Sequence, residues 1–158
     1  MISLPVNIYR QVNAYKAAAV TTATPGQLLI MLYDGAIKFL RIAIKGFEHT
    51  DPLEYNLTIH NNVVKAQAIV RELRGALMPR EGMELSELAN TLLALYDYFD
   101  RRLQEGNVKK NRVAVQEVLD RLCELRGAWG DSFDKENAKK SSSTQSAGND
   151  TPSLSVMG

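Results

Sequence analysis

Apolar residues recur every three or four positions along four stretches of this 158-residue chain. The stretches run over residues 29–47, 59–77, 85–103 and 115–129. This spacing places the apolar residues of each stretch on one side of an α-helix. No stretch shows the sustained alternation of apolar and polar residues that is typical of a strand. Four apolar stripes with short connections predict an all-α protein, an antiparallel four-helix bundle.

Capping residues and prolines mark where these helices begin. The sequence Thr-Pro-Gly-Gln from Thr24 predicts a capping box with proline in the first helical turn, and Asp51 precedes a second proline in the same way. Asn111 is the predicted cap of the last helix. Pro79 and Gly82 predict the break between the second and third helices.

Composition and spacing divide the chain into three parts. An N-terminal arm, residues 1–23, has less regular apolar spacing and is predicted to be a short helix or a flexible segment. Residues 24–133 form the predicted helical bundle domain. From residue 134 to residue 158 the chain has almost no large apolar residue. Such a segment buries too little surface to offset the entropy of ordering it, so we predict a disordered C-terminal tail.

The first helix carries more apolar surface than one bundle face needs. Its apolar arc spans more than twice the width of about 100° that a bundle helix requires. The surplus residues, which lie outside the stripe centred on Ala36, are Ile30, Met31, Ile37, Ile42 and Ile44. Two interpretations remain open: a central helix wrapped by its own neighbours, or a groove that receives an amphipathic helix of another chain. The arm could also cover part of this surface.

The charge balance and the single cysteine exclude several classes of protein. Nineteen basic and eighteen acidic residues leave a formal net charge of +1, which provides no basic face for general nucleic-acid binding. The basic residues at 109–112 are typical of a solvated turn. One cysteine cannot form an internal disulfide, the longest apolar run is six residues, and the N-terminus lacks signal-peptide features. We therefore expect a soluble cytoplasmic protein with no membrane insertion.

No motif for catalysis or metal binding is present. Neither His49 nor His60 follows a glutamate by three residues, as a di-metal bundle would require. Cys123 is predicted to be an inert thiol, and Asp34 and Asp97 are predicted to be structural or solvated. A helical module that binds an amphipathic protein segment is therefore favoured over an enzyme with a diffuse site, and over a helix-turn-helix protein that binds nucleic acid.

Three blocks of sequence resemble the FliS family of flagellar export chaperones. The first, residues 15–40, reads YKAAAVTTATPGQLLIMLYDGAIKFL, with Met-Leu-Tyr-Asp-Gly-Ala from Met31 to Ala36. The second lies at residues 90–107 and the third at residues 117–129, so the resemblance covers roughly residues 8–130. Thr24 stands where the family usually has serine, which keeps the capping hydroxyl. The loop at residues 78–83 also departs from the family pattern.

The resemblance implies a cytoplasmic chaperone that is not an enzyme and uses no cofactor. It would bind the C-terminal segment of flagellin, prevent premature polymerisation and aid delivery to the flagellar type III export gate, with a co-chaperone or flagellin regulator as a further partner. The candidate flagellin contacts are the five surplus residues of the first helix: Ile30, Met31, Ile37, Ile42 and Ile44. Ile8, Tyr9 and Tyr15 of the arm are candidates for covering the groove or contacting the export gate.

Overall fold

The computed structural model describes residues 24–79 and 81–148, which form four helices and no strand. The helices are α1 (Pro25–Gly46), α2 (Pro52–Ala76), α3 (Glu87–Val108) and α4 (Arg112–Gly148). The prediction of an all-α protein with four helices is confirmed. The arm residues Ile8, Tyr9 and Tyr15 lie outside the described residues.

Side-chain caps start three of the helices where the sequence predicts them. At α1, Thr24 Oγ1 accepts the Gln27 N–H at 3.2 Å while Gln27 Oε1 accepts the Thr24 N–H at 2.9 Å. At α2, Asp51 Oδ1 accepts two backbone N–H groups of the following turn, both at 2.9 Å. At α4, Asn111 Oδ1 accepts the Val113 N–H at 3.1 Å. These contacts satisfy backbone donors that have no partner inside the helix.

The start of α3 is set by a cap that the sequence pattern did not reveal. Ser86 Oγ accepts the Ala89 N–H at 3.1 Å, so the helix begins at Glu87. Gly82 lies upstream in the loop with a φ of +83°, which favours glycine because it has no Cβ. The predicted break is therefore present, and the serine defines its end.

Each helix packs against two neighbours, so the four helices form a ring in which α1 contacts α2 and α4, and α3 contacts the same two. Contacts along each neighbouring pair run in opposite directions. Between α1 and α2, Gly46 lies beside Thr58 and Gly35 beside Ile69; between α2 and α3, His60 contacts Asn107 and Arg74 contacts Asp97. Between α3 and α4, Gly106 lies beside Val115 and Tyr98 contacts Glu117. Between α1 and α4, Gly26 lies beside Phe133 and Arg41 contacts Cys123. Neighbouring helices are therefore antiparallel.

A buried polar contact joins helices that lie across the ring. The hydroxyls of Tyr33 (α1) and Tyr96 (α3) are 2.5 Å apart, and both rings are buried. The Trp129 Nε1–H (α4) donates to the Tyr33 hydroxyl at 3.2 Å. Burial raises the pKa of both phenols above its ordinary value. Among the described residues, every buried side-chain nitrogen and oxygen has a hydrogen-bond partner.

The C-terminal helix is longer than the predicted domain boundary. α4 continues past residue 133 to Gly148, so the described part of the predicted disordered tail is helical. Its side chains from residue 134 to residue 143 are exposed. The Oγ atoms of Ser141, Ser142 and Ser143 donate to backbone carbonyls three residues earlier. These hydroxyls are thus bonded to the helix's own backbone, in a segment where apolar burial has ended.

Substitution of the two tyrosines tests the buried contact. Tyr33→Phe leaves the Tyr96 hydroxyl without its partner and should lower the free energy of unfolding by about 2 kcal/mol, whereas Tyr96→Phe leaves Tyr33 bonded to Trp129 and should cost about 1 kcal/mol. The double variant should cost less than the sum, because it removes both hydroxyls. Urea unfolding measures all three, with Tyr55→Phe as a control. Additive losses would contradict the pairing.

The same pair predicts a loss of stability in alkali. The pKa of both phenols is higher in the folded protein than in the unfolded chain, where it is about 10. Their contribution to the free energy of unfolding is therefore complete below pH ~10 and is lost as the pH rises above that value. The free energy of unfolding should therefore fall above pH ~10. The Tyr33→Phe/Tyr96→Phe variant should show a shallower fall in the same urea titration. An identical pH dependence in wild type and variant would refute the assignment.

Candidate functional site

Two of the five surplus residues of α1 belong to the core of the bundle. Ile37 and Ile44 are only 5% and 9% exposed and pack in the main apolar cluster. α1 packs on α2 and α4 and reaches α3 through Tyr33, so its wide apolar arc is largely used inside the molecule. At these two positions the neighbouring helices of the same chain cover the apolar arc. Neither side chain is available to another chain while the bundle is folded.

The other three surplus residues remain at the surface. Ile42 is 37% exposed, and Ile30 and Met31 are half-buried. At ~100° per residue, Met31 and Ile42 lie within about 20° of each other on the helix. Ile30 lies on the other side of the strip of polar residues of α1 that contains Asp34, Lys38 and Lys45.

The flank that carries Met31 and Ile42 borders α2. There Gly35 is so close to Ile69 that a Cβ would lie 3.1 Å from Ile69 Cδ1. Lys65 Nζ lies 5.4 Å from the centroid of the half-buried Phe39 ring. The seam between α1 and α2 is therefore a line of partly exposed apolar side chains with a cation beside it.

The flank that carries Ile30 borders α4 and is polar. Arg126 Nε donates to Asp34 Oδ1 at 2.9 Å, and a second guanidinium nitrogen donates to Oδ2 at 3.4 Å. Arg41 contacts the half-buried Cys123 Sγ at 3.9 Å. Asp34 therefore makes a partly exposed ion pair between α1 and α4, in agreement with the predicted structural or solvated role.

The remaining candidate chemical groups are engaged in contacts within the bundle. Arg74 Nε donates to Asp97 at 2.6 Å, and His60 Nδ1 lies 2.9 Å from Asn107 Nδ2. His49 is exposed and lies 3.7 Å from Glu54. These side chains link neighbouring helices or helix ends. In the parts of the chain that the structure describes, no group of three histidine, cysteine or acidic side chains could hold a metal ion.

The basic loop between α3 and α4 is held by internal contacts. Lys110 has a φ of +48°, and its Nζ donates to Asn107 Oδ1 at 2.7 Å. Burial lowers the pKa of this lysine. Lys109 Nζ lies 3.5 Å from Glu105. The prediction is a solvated turn; Lys109 is largely exposed, whereas Lys110 is held by its contact with Asn107.

A charged cluster next to this loop joins α3 to α4. The Glu117 carboxylate accepts the Tyr98 hydroxyl and Arg102 Nε, both at 2.6 Å. These two hydrogen bonds hold the pKa of Glu117 below its ordinary value. Arg102 also donates to Glu105 at 3.0 Å. Glu105 also contacts Lys109, so the cluster is continuous with the loop, and the contacts of Glu117 with Tyr98 and Arg102 link α4 to α3.

Further apolar residues are exposed outside α1, where the sequence pattern did not single them out. On α2 these are Leu53, Leu57 and Val64. The spacing of apolar residues could have identified them, because all three fall outside the stripe that contains Ile59 and Val63.

None of the described helices is long and apolar enough to cross a membrane.

Comparison with known proteins assigns the chain to a family. The family model described as flagellar protein FliS matches residues 8–136. A flagellar secretion chaperone FliS of Bacillus subtilis is 37% identical over 78% of this chain and 86% of its own length. The FliS of Salmonella typhimurium is 32% identical over 78% of this chain and 86% of its own length. The FliSB of Pseudomonas aeruginosa is 32% identical over 77% of this chain and 89% of its own length.

The matched region contains all three sequence blocks and most of the four helices. It begins in the arm and ends just beyond Phe133, where the α4 side chains become exposed. The region that the family shares is therefore the bundle itself, together with part of the arm. The chain belongs to the FliS family of flagellar proteins.

Proposed function

We propose that this protein is a cytoplasmic flagellar secretion chaperone that binds the C-terminal segment of flagellin. It would keep that segment from polymerising before export and would help deliver it to the flagellar type III export gate. Membership of the FliS family carries the proposal, since relatives that match most of this chain are named flagellar secretion chaperones. The proposed activity needs no catalytic residue and no cofactor.

The surface proposed to receive flagellin is the exposed part of α1. Its apolar contacts are Met31 and Ile42 beside α2, with Ile30 on the α4 flank. An amphipathic segment that folds into a helix there would bury its apolar face against these side chains. Ordering such a segment costs about 2–5 kcal/mol or more, so the contact needs to extend along much of the helix.

The arm contributes a second part of the proposal. Ile8, Tyr9 and Tyr15 lie 10 to 17 residues before Pro25, the first residue of α1. We propose that they cover the flagellin surface in the free protein or contact the export gate. A co-chaperone or flagellin regulator is the proposed further partner.

Binding to a flagellin peptide tests the proposed function. A peptide covering the flagellin C-terminal region should bind tightly and gain helix on binding, because the segment folds as it packs on the α1 surface instead of associating with itself. Calorimetry and circular dichroism, recorded on the same samples, measure both effects. A peptide of the same composition in scrambled order is the control. A folded bundle that does not bind the native peptide would refute the proposal.

A pair of charge substitutions on α1 tests the proposed surface. Ile42→Glu should leave the fold intact, because the side chain is already 37% exposed, and should weaken peptide binding by about tenfold or more. Ile37→Glu places an unpaired carboxylate in the core and should destabilise the bundle by about 3 kcal/mol or more. Urea unfolding and calorimetry separate the two effects.

Val108→Glu on α3 is the matched control, because it adds the same charge to an exposed apolar position away from α1. It should alter neither stability nor binding appreciably. If Ile42→Glu and Val108→Glu bind the peptide equally well, the flagellin surface lies elsewhere on the bundle.

A further inference from the structure

Three lysines border the apolar seam between α1 and α2. Lys38 and Lys45 are exposed on α1, and at ~100° per residue they lie within about 20° of each other around the helix. Lys65 is half-buried on the α2 side of the seam, where its Nζ lies 5.4 Å from the centroid of the Phe39 ring. We name Lys38, Lys45 and Lys65 the lysine border.

The lysine border runs beside the apolar side chains proposed to receive flagellin. On α1, Lys38 lies about 20° from Met31 and about 40° from Ile42 around the helix axis. Lys45 lies two turns beyond Lys38, about 10 Å along the axis. Because Lys65 lies on the other side of the seam, a helix packed over the apolar side chains would have ammonium groups along both of its edges.

The seam has few carboxylates that could balance these lysines. α1 carries three basic residues and one acidic residue, Asp34, which is paired with Arg126 on the α4 flank; Glu48 lies beyond the end of the helix. α2 has no acidic residue between Thr58 and Ile69, the two positions that contact α1. By contrast, α3 carries four acidic and two basic residues. The formal net charge of +1 is therefore the sum of a basic α1 and an acidic α3 that lie across the ring from each other.

Cations beside an apolar line favour a partner that is both amphipathic and acidic. Each exposed ion pair adds little to affinity, because both charges lose hydration and side-chain freedom when they meet. Complementary charge nevertheless raises the association rate and disfavours partners of like charge. A surface bordered by lysines therefore discriminates among amphipathic segments that its apolar side chains alone would accept equally.

We infer that the flagellin segment received by α1 carries acidic side chains along the edges of its apolar face, and that the lysine border selects the segment by pairing with them. This inference rests on the proposed function. The spacing of Lys38 and Lys45 requires two acidic residues about seven positions apart on a helical partner, because seven residues make about two turns. Lys65 pairs with a third carboxylate on the opposite edge. The lysines determine specificity, whereas Met31 and Ile42 supply the apolar contact.

The salt dependence of peptide binding tests the lysine border. At about 0.05 M salt, Lys38→Glu/Lys45→Glu should weaken binding of the flagellin C-terminal peptide about tenfold, chiefly by slowing association. At about 0.5 M salt, which screens exposed charges, the loss should shrink to about twofold or less. Stopped-flow mixing with a labelled peptide and calorimetry measure the rate and the affinity.

Two further variants control for net charge and for folding. Lys135→Glu/Lys139→Glu makes the same change in net charge at exposed positions of α4 and should alter binding less than about twofold. Lys38→Gln/Lys45→Gln only removes the two charges and should weaken binding about threefold at low salt. It carries the test if urea unfolding shows that the doubly acidic α1 variant is unstable.

A peptide without carboxylate side chains separates this inference from the proposed function. Every Asp and Glu of the flagellin peptide is replaced by Asn or Gln, which keeps its size and its apolar face. At low salt the wild-type protein should bind this peptide about tenfold more weakly than the native one, whereas Lys38→Gln/Lys45→Gln should distinguish the two peptides much less. If the wild type and both α1 lysine variants bind the native peptide equally at low salt, the inference is overturned and the proposed function stands. If the native peptide binds none of them at either salt concentration, both are overturned.

Discussion

The contact between Tyr33 and Tyr96 is the constraint around which the bundle is arranged. Two hydroxyls in the apolar interior must find partners there, because an unsatisfied buried polar group is costly. They find each other across the ring, and Trp129 adds a donor from a third helix. Apolar side chains alone would tolerate a shift of one helix along another, whereas this contact requires α1, α3 and α4 to meet at one level.

Close packing against α2 and α4 explains why so much of the α1 surface is apolar. Small residues let its neighbours approach closely, and Gly46 is so near Thr58 that a Cβ would lie 2.8 Å from the threonine methyl group. Ile37 and Ile44 fill the space between helices. Outside the bundle the arc leaves only a narrower line of partly exposed apolar side chains along the seam with α2. Packing inside the bundle therefore uses the larger share of the wide apolar arc.

Local signals in the sequence predicted the helices well. The caps at Thr24, Asp51 and Asn111 act over three residues or fewer, so their chemistry can be recognised without knowledge of the fold. The burial of Ile37 and Ile44 could not be assigned, because periodicity shows the width of an apolar arc and not how many neighbours cover it. The partners of the buried tyrosines were beyond prediction for the same reason, since Tyr33 and Tyr96 are 63 residues apart.

The short connection between α3 and α4 has a consequence for how the chain folds. Only three residues separate Val108 from Arg112, so these helices can pair with little loss of loop entropy. By contrast, the Asp34–Arg126 contact closes a separation of 92 residues. α1 is synthesised first, yet its contacts with α4 must wait until the last helix has emerged from the ribosome. For that interval its isoleucines are exposed, and the nascent chain is itself an aggregation-prone client before it can protect another.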